Sequence, residues 1–129
     1  MMFEYVKEYF KFKTKAQRDM FDSPDSEGSG FRFMEREPVL ILDAVVRKTK
    51  ATMNVELGYV SKPYADKLGL VSKDSHRVGK AVRIRCVGHK KRMTIIKGLI
   101  EFGVERIAVN RETVYFDTDD LKERAFYLW

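Results

Sequence analysis

The sequence predicts an α+β fold: a small, mostly antiparallel sheet with two main helices. Apolar residues recur at helical spacing over residues 39–46 and 93–100. Residues 81–87 alternate as a half-buried strand does, and two apolar runs, 106–109 and 113–116, are separated by a hairpin-like connection. With 129 residues, 44% of them hydrophobic, the chain is long enough for a single domain, 1–129, with its own core.

The first part of the chain divides into an aromatic segment, a loop and a helix. Aromatics near every second position through residues 1–21 predict an extended segment or short helix that packs along the domain. The polar, glycine-rich stretch 23–30 has no periodicity and predicts a loop. Pro38 suits the first turn of the first helix, and the cations at its carboxyl end suit the helix dipole. A β-prone stretch, 52–57, follows.

The second part carries the second helix and most of the sheet. A loop-rich segment with one short helix, 64–68, precedes the strand at 81–87, and the second helix spans 89–102. We expect the aromatic residues of the C-terminal tail, 126–129, to pack against the domain. Cys86 is the only cysteine, so it cannot form an internal disulfide and is expected to be a small core residue.

Positive charge is concentrated in the middle of the chain. The segment between Lys62 and Lys97 has 11 Lys/Arg and two Asp/Glu, a net charge of +9, within a chain whose net charge is +6. Such a segment favours anionic partners, although a solvated basic face explains the same bias. No apolar run is long enough for a membrane span, and the N-terminus lacks the apolar stretch of a signal peptide.

One motif, around His76, contains residues of a type and spacing found at metal sites. His76 is followed three positions later by Gly79, then by Ala81 at the start of a strand and by Arg83 within it. With the order of predicted elements, this motif resembles the family of zinc D-alanyl-D-alanine carboxypeptidases and murein endopeptidases, phage type, which has a hedgehog/DD-peptidase-like fold. The resemblance covers most of the chain, from about Tyr9 to the C-terminal Trp129.

The resemblance assigns positions to the zinc ligands. His76 keeps the first ligand position, Arg83 stands where the family has Asp, and Tyr115 stands where it has the last His. Glu112 falls at the position of the catalytic base. The turn Gly58-Tyr59-Val60-Ser61 is similar to the family's Gly-Tyr-Arg-Ser turn, so Tyr59, Ser61 and Arg77 are the candidate substrate-binding residues.

The residues at two of the three expected ligand positions, Arg83 and Tyr115, are therefore unsuited to bind zinc. A guanidinium offers no lone pair to a metal, and a phenol titrates near pH ~10. Catalytic zinc generally needs three protein ligands. We therefore expect no metal and no other cofactor, and a cluster in which Arg83 pairs with Glu112 and Asp117 while His76 and Tyr115 complete the hydrogen bonds.

The sequence thus predicts a catalytically inactive peptidase-like protein used as a structural or binding module. By the family's association with phage particles, we expect a virion or assembly component, in the virion or the host cytoplasm, with protein partners or cell-wall peptide. One alternative is a zinc peptidase that cleaves peptidoglycan through a relocated site, for which His89 is the one other histidine. The second alternative is a nucleic-acid-binding module that uses the segment from Lys62 to Lys97.

Overall fold

The computed structural model describes residues 18–51 and 53–128 and confirms the α+β class. Within this part of the chain there are four helices: α1 (Ser29–Phe33), α2 (Arg36–Thr49), α3 (Lys62–Leu68) and α4 (His89–Glu101). There are five strands: β1 (Asn54–Leu57), β2 (Ala81–Arg85), β3 (Arg106–Val109), β4 (Thr113–Asp117) and β5 (Ala125–Leu128). The predicted N-terminal segment lies outside the described residues as far as residue 17, and a 3₁₀ turn, Asp19–Phe21, follows it.

The five strands form one sheet in the order β1-β2-β4-β3-β5. Every neighbouring pair is antiparallel except β3 and β5, which run parallel. The predicted hairpin is confirmed as β3–β4. Its turn is fixed by the Asn110 carboxamide oxygen, which accepts hydrogen bonds from the Glu112 and Thr113 amides and from the Thr113 hydroxyl at 2.6–3.0 Å.

The hydrophobic core lies between one face of the sheet and the two long helices. The side chains that fill it alternate along the strands and recur at helical spacing on the helices. The two helices approach closely at Gly98, where an added Cβ would lie 3.0 Å from Cγ1 of Val45. The largest side chains of this core that are fully buried are Phe21, Val39, Leu42, Val45, Val82, Ile84, Ile95, Leu99, Ile107, Val114 and Phe116.

Two features differ from the sequence-based prediction. The predicted loop 23–30 ends inside helix α1, whose start is held by the Asp22 carboxylate, which accepts hydrogen bonds from the Gly28 and Gly30 amides. The C-terminal tail forms the fifth strand, β5, and Phe126 on it is 60% exposed rather than packed. Trp129 lies outside the described residues.

The second face of the sheet is polar and carries the residues of interest. Arg83 and Arg85 on β2 and Tyr115 and Asp117 on β4 alternate with core residues, so they project from the side opposite the long helices. The loop after α3 lies over part of this face. None of the described helices is long and apolar enough to cross a membrane.

Candidate functional site

The loop that carries His76 is fixed by backbone hydrogen bonds at both ends. The Val60 and Gly79 amides donate to the His76 carbonyl oxygen at 3.1 and 3.3 Å, and the Glu35 amide donates to the Gly79 carbonyl oxygen at 2.8 Å. Gly79 has φ +74°, and a Cβ there would lie 2.0 Å from the Phe33 carbonyl oxygen. Glycine is therefore required at this turn, which sets His76 above the polar face of the sheet.

His76 is buried against Tyr115. Its Nδ1 lies 2.8 Å from the Gly58 carbonyl oxygen, and its ring meets the Tyr115 ring edge-on with centroids 5.5 Å apart. Because a carbonyl can only accept a hydrogen bond, Nδ1 carries the proton. Burial lowers the pKa of His76, against the opposing effect of the bond to Gly58. The imidazole is therefore held neutral by its surroundings.

Tyr115 belongs to a second hydrogen-bonded group, on β3 and β4. Its hydroxyl donates to Oδ2 of Asp117 at 2.6 Å. The Asp117 carboxylate also accepts from Nε of Arg106 at 2.8 and 3.0 Å and from the Asp119 amide at 3.1 Å. Burial and the bond to Asp117 raise the pKa of Tyr115, so the phenol stays protonated at neutral pH.

The structure reveals a third group that the sequence analysis missed. The Ser75 hydroxyl donates to Oδ2 of Asp119 at 2.9 Å and accepts from Nζ of Lys122 at 2.7 Å. Burial alone would raise the pKa of Asp119, but the Ser75 hydroxyl, the Leu121 amide and Lys122 outweigh it and lower that pKa. Ser75 is 1% exposed, and its hydroxyl ties the loop that carries His76 to Asp119 and Lys122, which is a structural role.

The predicted pairing of Arg83 with Glu112 is wrong. Arg83 lies opposite Tyr115 in the β2–β4 register, so the two side chains are neighbours, but its nearest carboxylate is Glu56 at 3.7 Å. Glu112 instead faces Arg85 at 3.5 Å. The reason is the pleat of the sheet and its register, which place Glu112 just before the first residue of β4, next to the last residue of β2.

The predicted pairing of Arg83 with Asp117 is also wrong. Asp117 lies opposite Arg106 in the β3–β4 register, and this guanidinium contacts both carboxylate oxygens. The structure therefore brings together His76, Tyr115 and, beside them, Arg83, while Glu112 stands apart from the three.

The candidate substrate-binding residues fall into two places. Arg77 donates to the Tyr59 hydroxyl at 2.9 Å and to the Val60 carbonyl oxygen at 2.8 Å. Ser61 is the N-cap of α3, where its hydroxyl accepts from the Tyr64 amide at 3.3 Å and donates to the Asp25 carboxylate. Ser61 thus has a structural role, and Arg77 and Tyr59 form a contact of their own.

The side chains at two of the three ligand positions do not fit a zinc ion: Tyr115 is a protonated phenol, and Arg83 offers only donors. His76 donates Nδ1–H to the Gly58 carbonyl, which leaves Nε2 as the one ligand atom of the set that a zinc ion could use. Across residues 18–51 and 53–128, no group of three or more His, Cys, Asp and Glu could hold a metal ion. Cys86 is buried, and burial raises the pKa of its thiol, so a reactive thiolate is disfavoured.

Comparison with known proteins adds no family assignment. No protein-family model matches the chain, and a search of curated proteins found no match of significance.

Proposed function

We propose that this chain is a catalytically inactive peptidase-like protein that serves as a structural or binding module. The observation that supports the proposal is the closed cluster of His76, Tyr115, Asp117 and Arg106. Nδ1 of His76, the Tyr115 hydroxyl and the Asp117 carboxylate are directed to neighbouring protein atoms rather than to an open coordination position, and Nε2 of His76 alone cannot assemble a catalytic zinc site. Metal-assisted hydrolysis needs such a position, with a water bound to the metal.

The proposal also includes a location and partners for the protein. The resemblance to phage-type peptidases suggests a virion or assembly component, in the virion or the host cytoplasm, with other proteins or cell-wall peptide as partners. This part rests on the resemblance alone, since a fold can persist after its chemistry is lost.

Metal content and hydrolysis together test the loss of catalysis. Wild-type protein purified without chelator should contain substoichiometric zinc and should release no fragments from purified peptidoglycan. One zinc per chain, together with hydrolysis that a chelator abolishes, would contradict the proposal and favour the alternative of a relocated metal site.

A variant with restored ligands is the matched comparison. Arg83→Asp with Tyr115→His fills the three positions that the resemblance assigns, together with His76. We expect this double variant to bind zinc in equilibrium dialysis and the wild type not to bind it. If neither protein binds zinc, the peptidase-like geometry itself is contradicted, because the ligand positions then do not converge.

A further inference from the structure

A second concave surface lies beside the cluster, where β2 ends, β4 starts and α4 begins. This groove has a volume of about 890 Å³. Four arginines line it, with two glutamates between them. The arginines are Arg83, Arg85, Arg92 and Arg111, and the glutamates are Glu56 and Glu112.

The two glutamates leave much of the arginines' hydrogen-bonding capacity unused. Glu56 lies 3.7 Å from Arg83 and Glu112 lies 3.5 Å from Arg85, and all four side chains are between one-third and two-thirds exposed. A guanidinium has five N–H donors, so one distant carboxylate cannot satisfy it. Within the described part of the chain, the buried Nε of Arg83 has no hydrogen-bond partner.

Of the other two arginines, Arg92 is held in place by a backbone group. Arg92 on α4 donates to the carbonyl oxygen of Arg111, which ties the helix to the β3–β4 turn. Since that bond uses one Arg92 nitrogen, the remaining donors and the exposed Arg111 side chain stay available to a ligand. The groove is therefore a partly pre-arranged set of positive charges with an excess over its two carboxylates.

The first turn of α4 shows that this charge opposes the stability of the helix. The turn is His89-Lys90-Lys91-Arg92, with no acidic residue, and among the described residues no side chain caps it. Cations at a helix N-terminus are unfavourable, because they meet the positive end of the helix dipole. Residues that lower local stability are found preferentially at functional sites. A bound anion would offset the repulsion between these cations and the N-terminus of α4.

We propose that this groove binds the phosphodiester backbone of a nucleic acid. Arg83 and Arg85 are two residues apart on one face of β2, which separates their side-chain origins by about 6.7 Å. The groove then continues past the end of β2 to Arg92 and Arg111. Such a row of guanidiniums suits a linear polymer that carries repeated charges better than a single small anion.

The residues of the groove also indicate how the polymer is held. None of its described lining residues is Phe, Tyr or Trp, so the large rings on which bases usually stack are absent from the groove and the imidazole of His89 is its one ring. Contacts to phosphates position a nucleic acid without reading its sequence. This inference rests on the proposed binding role, to which it adds a ligand and a site. It predicts binding that is independent of sequence and strongly dependent on salt.

The salt dependence of DNA binding tests the groove. Fluorescence anisotropy would follow labelled single- and double-stranded oligonucleotides of about 20 nucleotides, a length that exceeds a typical single-domain site. Three to four phosphate contacts should lower the affinity for the duplex about 40- to 150-fold between about 50 and 200 mM salt. Arg85→Gln with Arg111→Gln should reduce the slope of log affinity against log salt by about two.

A charge-matched double variant is the control. Lys67→Gln with Lys73→Gln removes two exposed cations from the same basic segment but outside the groove, and its slope should match that of the wild type. Circular dichroism melting would confirm that both variants fold. Equal slopes for the two variants would overturn the proposal, because charge alone would then explain the binding.

Two further outcomes would also overturn it. One is the absence of DNA binding at about 50 mM salt, where phosphate contacts are strongest. The other is competition by poly-L-glutamate as effective as that by unlabelled DNA, which would indicate an acidic protein surface as the partner. The zinc measurements on the wild type are independent of each result, so failure of this site and failure of the proposed loss of catalysis can be distinguished.

Discussion

Gly79 is a single residue that determines where a buried polar side chain lies, because it forms the turn that positions His76. Its φ of +74° and the approach of the Phe33 carbonyl oxygen leave no room for a side chain. We expect Gly79→Ala to lower the free energy of unfolding by more than about 2 kcal/mol, because backbone strain and a clash add together. Urea denaturation would measure the change.

Gly69 offers a matched control for this prediction. It has nearly the same φ, +76°, but no atom lies within 4 Å of an added Cβ. Gly69→Ala should therefore cost only about 1–2 kcal/mol, the strain of a left-handed conformation. Equal losses for the two variants would show that the contact with Phe33 contributes nothing.

His76 makes the stability of the protein depend on pH. Its pKa is lowered mainly by burial, with Arg83 acting in the same direction and Asp74 and Asp117 opposing it. Below pH 6.5, the ordinary pKa of histidine, the unfolded chain binds a proton that the folded protein binds less readily. The stabilisation is therefore complete above pH 6.5 and decreases as pH falls toward the folded-state pKa, by at most about 1.4 kcal/mol per pH unit.

A variant of His76 that cannot titrate is the control for this pH dependence. His76→Gln cannot titrate, so its free energy of unfolding should change less than that of the wild type just below pH 6.5. Urea denaturation in steps from pH 7.5 downwards would measure both profiles. Parallel profiles for the two proteins would contradict the assignment of the pH dependence to His76.

Sequence reasoning predicted some of these residues and missed others. The burial of Cys86 followed from the alternation of its strand, which is a local pattern. The motif analysis singled out His76 and Tyr115, which prove to be in contact although they are far apart in the chain. The bond between Ser75 and Asp119 could not be predicted, because neither residue lies in a periodic pattern and the pairing depends on the path of a loop.

At the scale of elements, the contact between α2 and α4 depends on Gly98. An added Cβ would lie 3.0 and 3.4 Å from the two methyl groups of Val45, so a large side chain would push the helices apart. Gly98→Leu should destabilise the protein by about 1–3 kcal/mol, measured by urea denaturation. Adding Val45→Ala should restore space, and the double-mutant cycle should give a coupling of at least about 0.5 kcal/mol.

The element boundaries show which signals the sequence contains. The two long helices were predicted within a few residues because their apolar periodicity extends over several turns. Helix α1 was missed because five residues are too few to show a period, and its start depends on the Asp22 carboxylate. The last strand was missed because its parallel partner, β3, is not its hairpin neighbour.

For the whole molecule, local patterns were enough to predict the α+β class but not the order of the strands. That order places β4 between β2 and β3, and it decides which side chains meet on the polar face. The wrong pairing of Arg83 with Glu112 follows directly from this gap, since β2 and β4 are brought together only by tertiary structure. The resemblance to peptidases singled out His76, Arg83 and Tyr115. The register of the strands determines which side chains these residues contact.

The two outermost strands have a consequence for contacts between copies of the protein. Both β1 and β5 are four residues long as described, and the pairing of β1 with β2 is irregular between Val55 and Leu57. A short or bulged edge offers few aligned backbone groups for another strand to pair with. The sheet thus provides a poor template for growth by strand addition, which protects the domain from edge-to-edge aggregation.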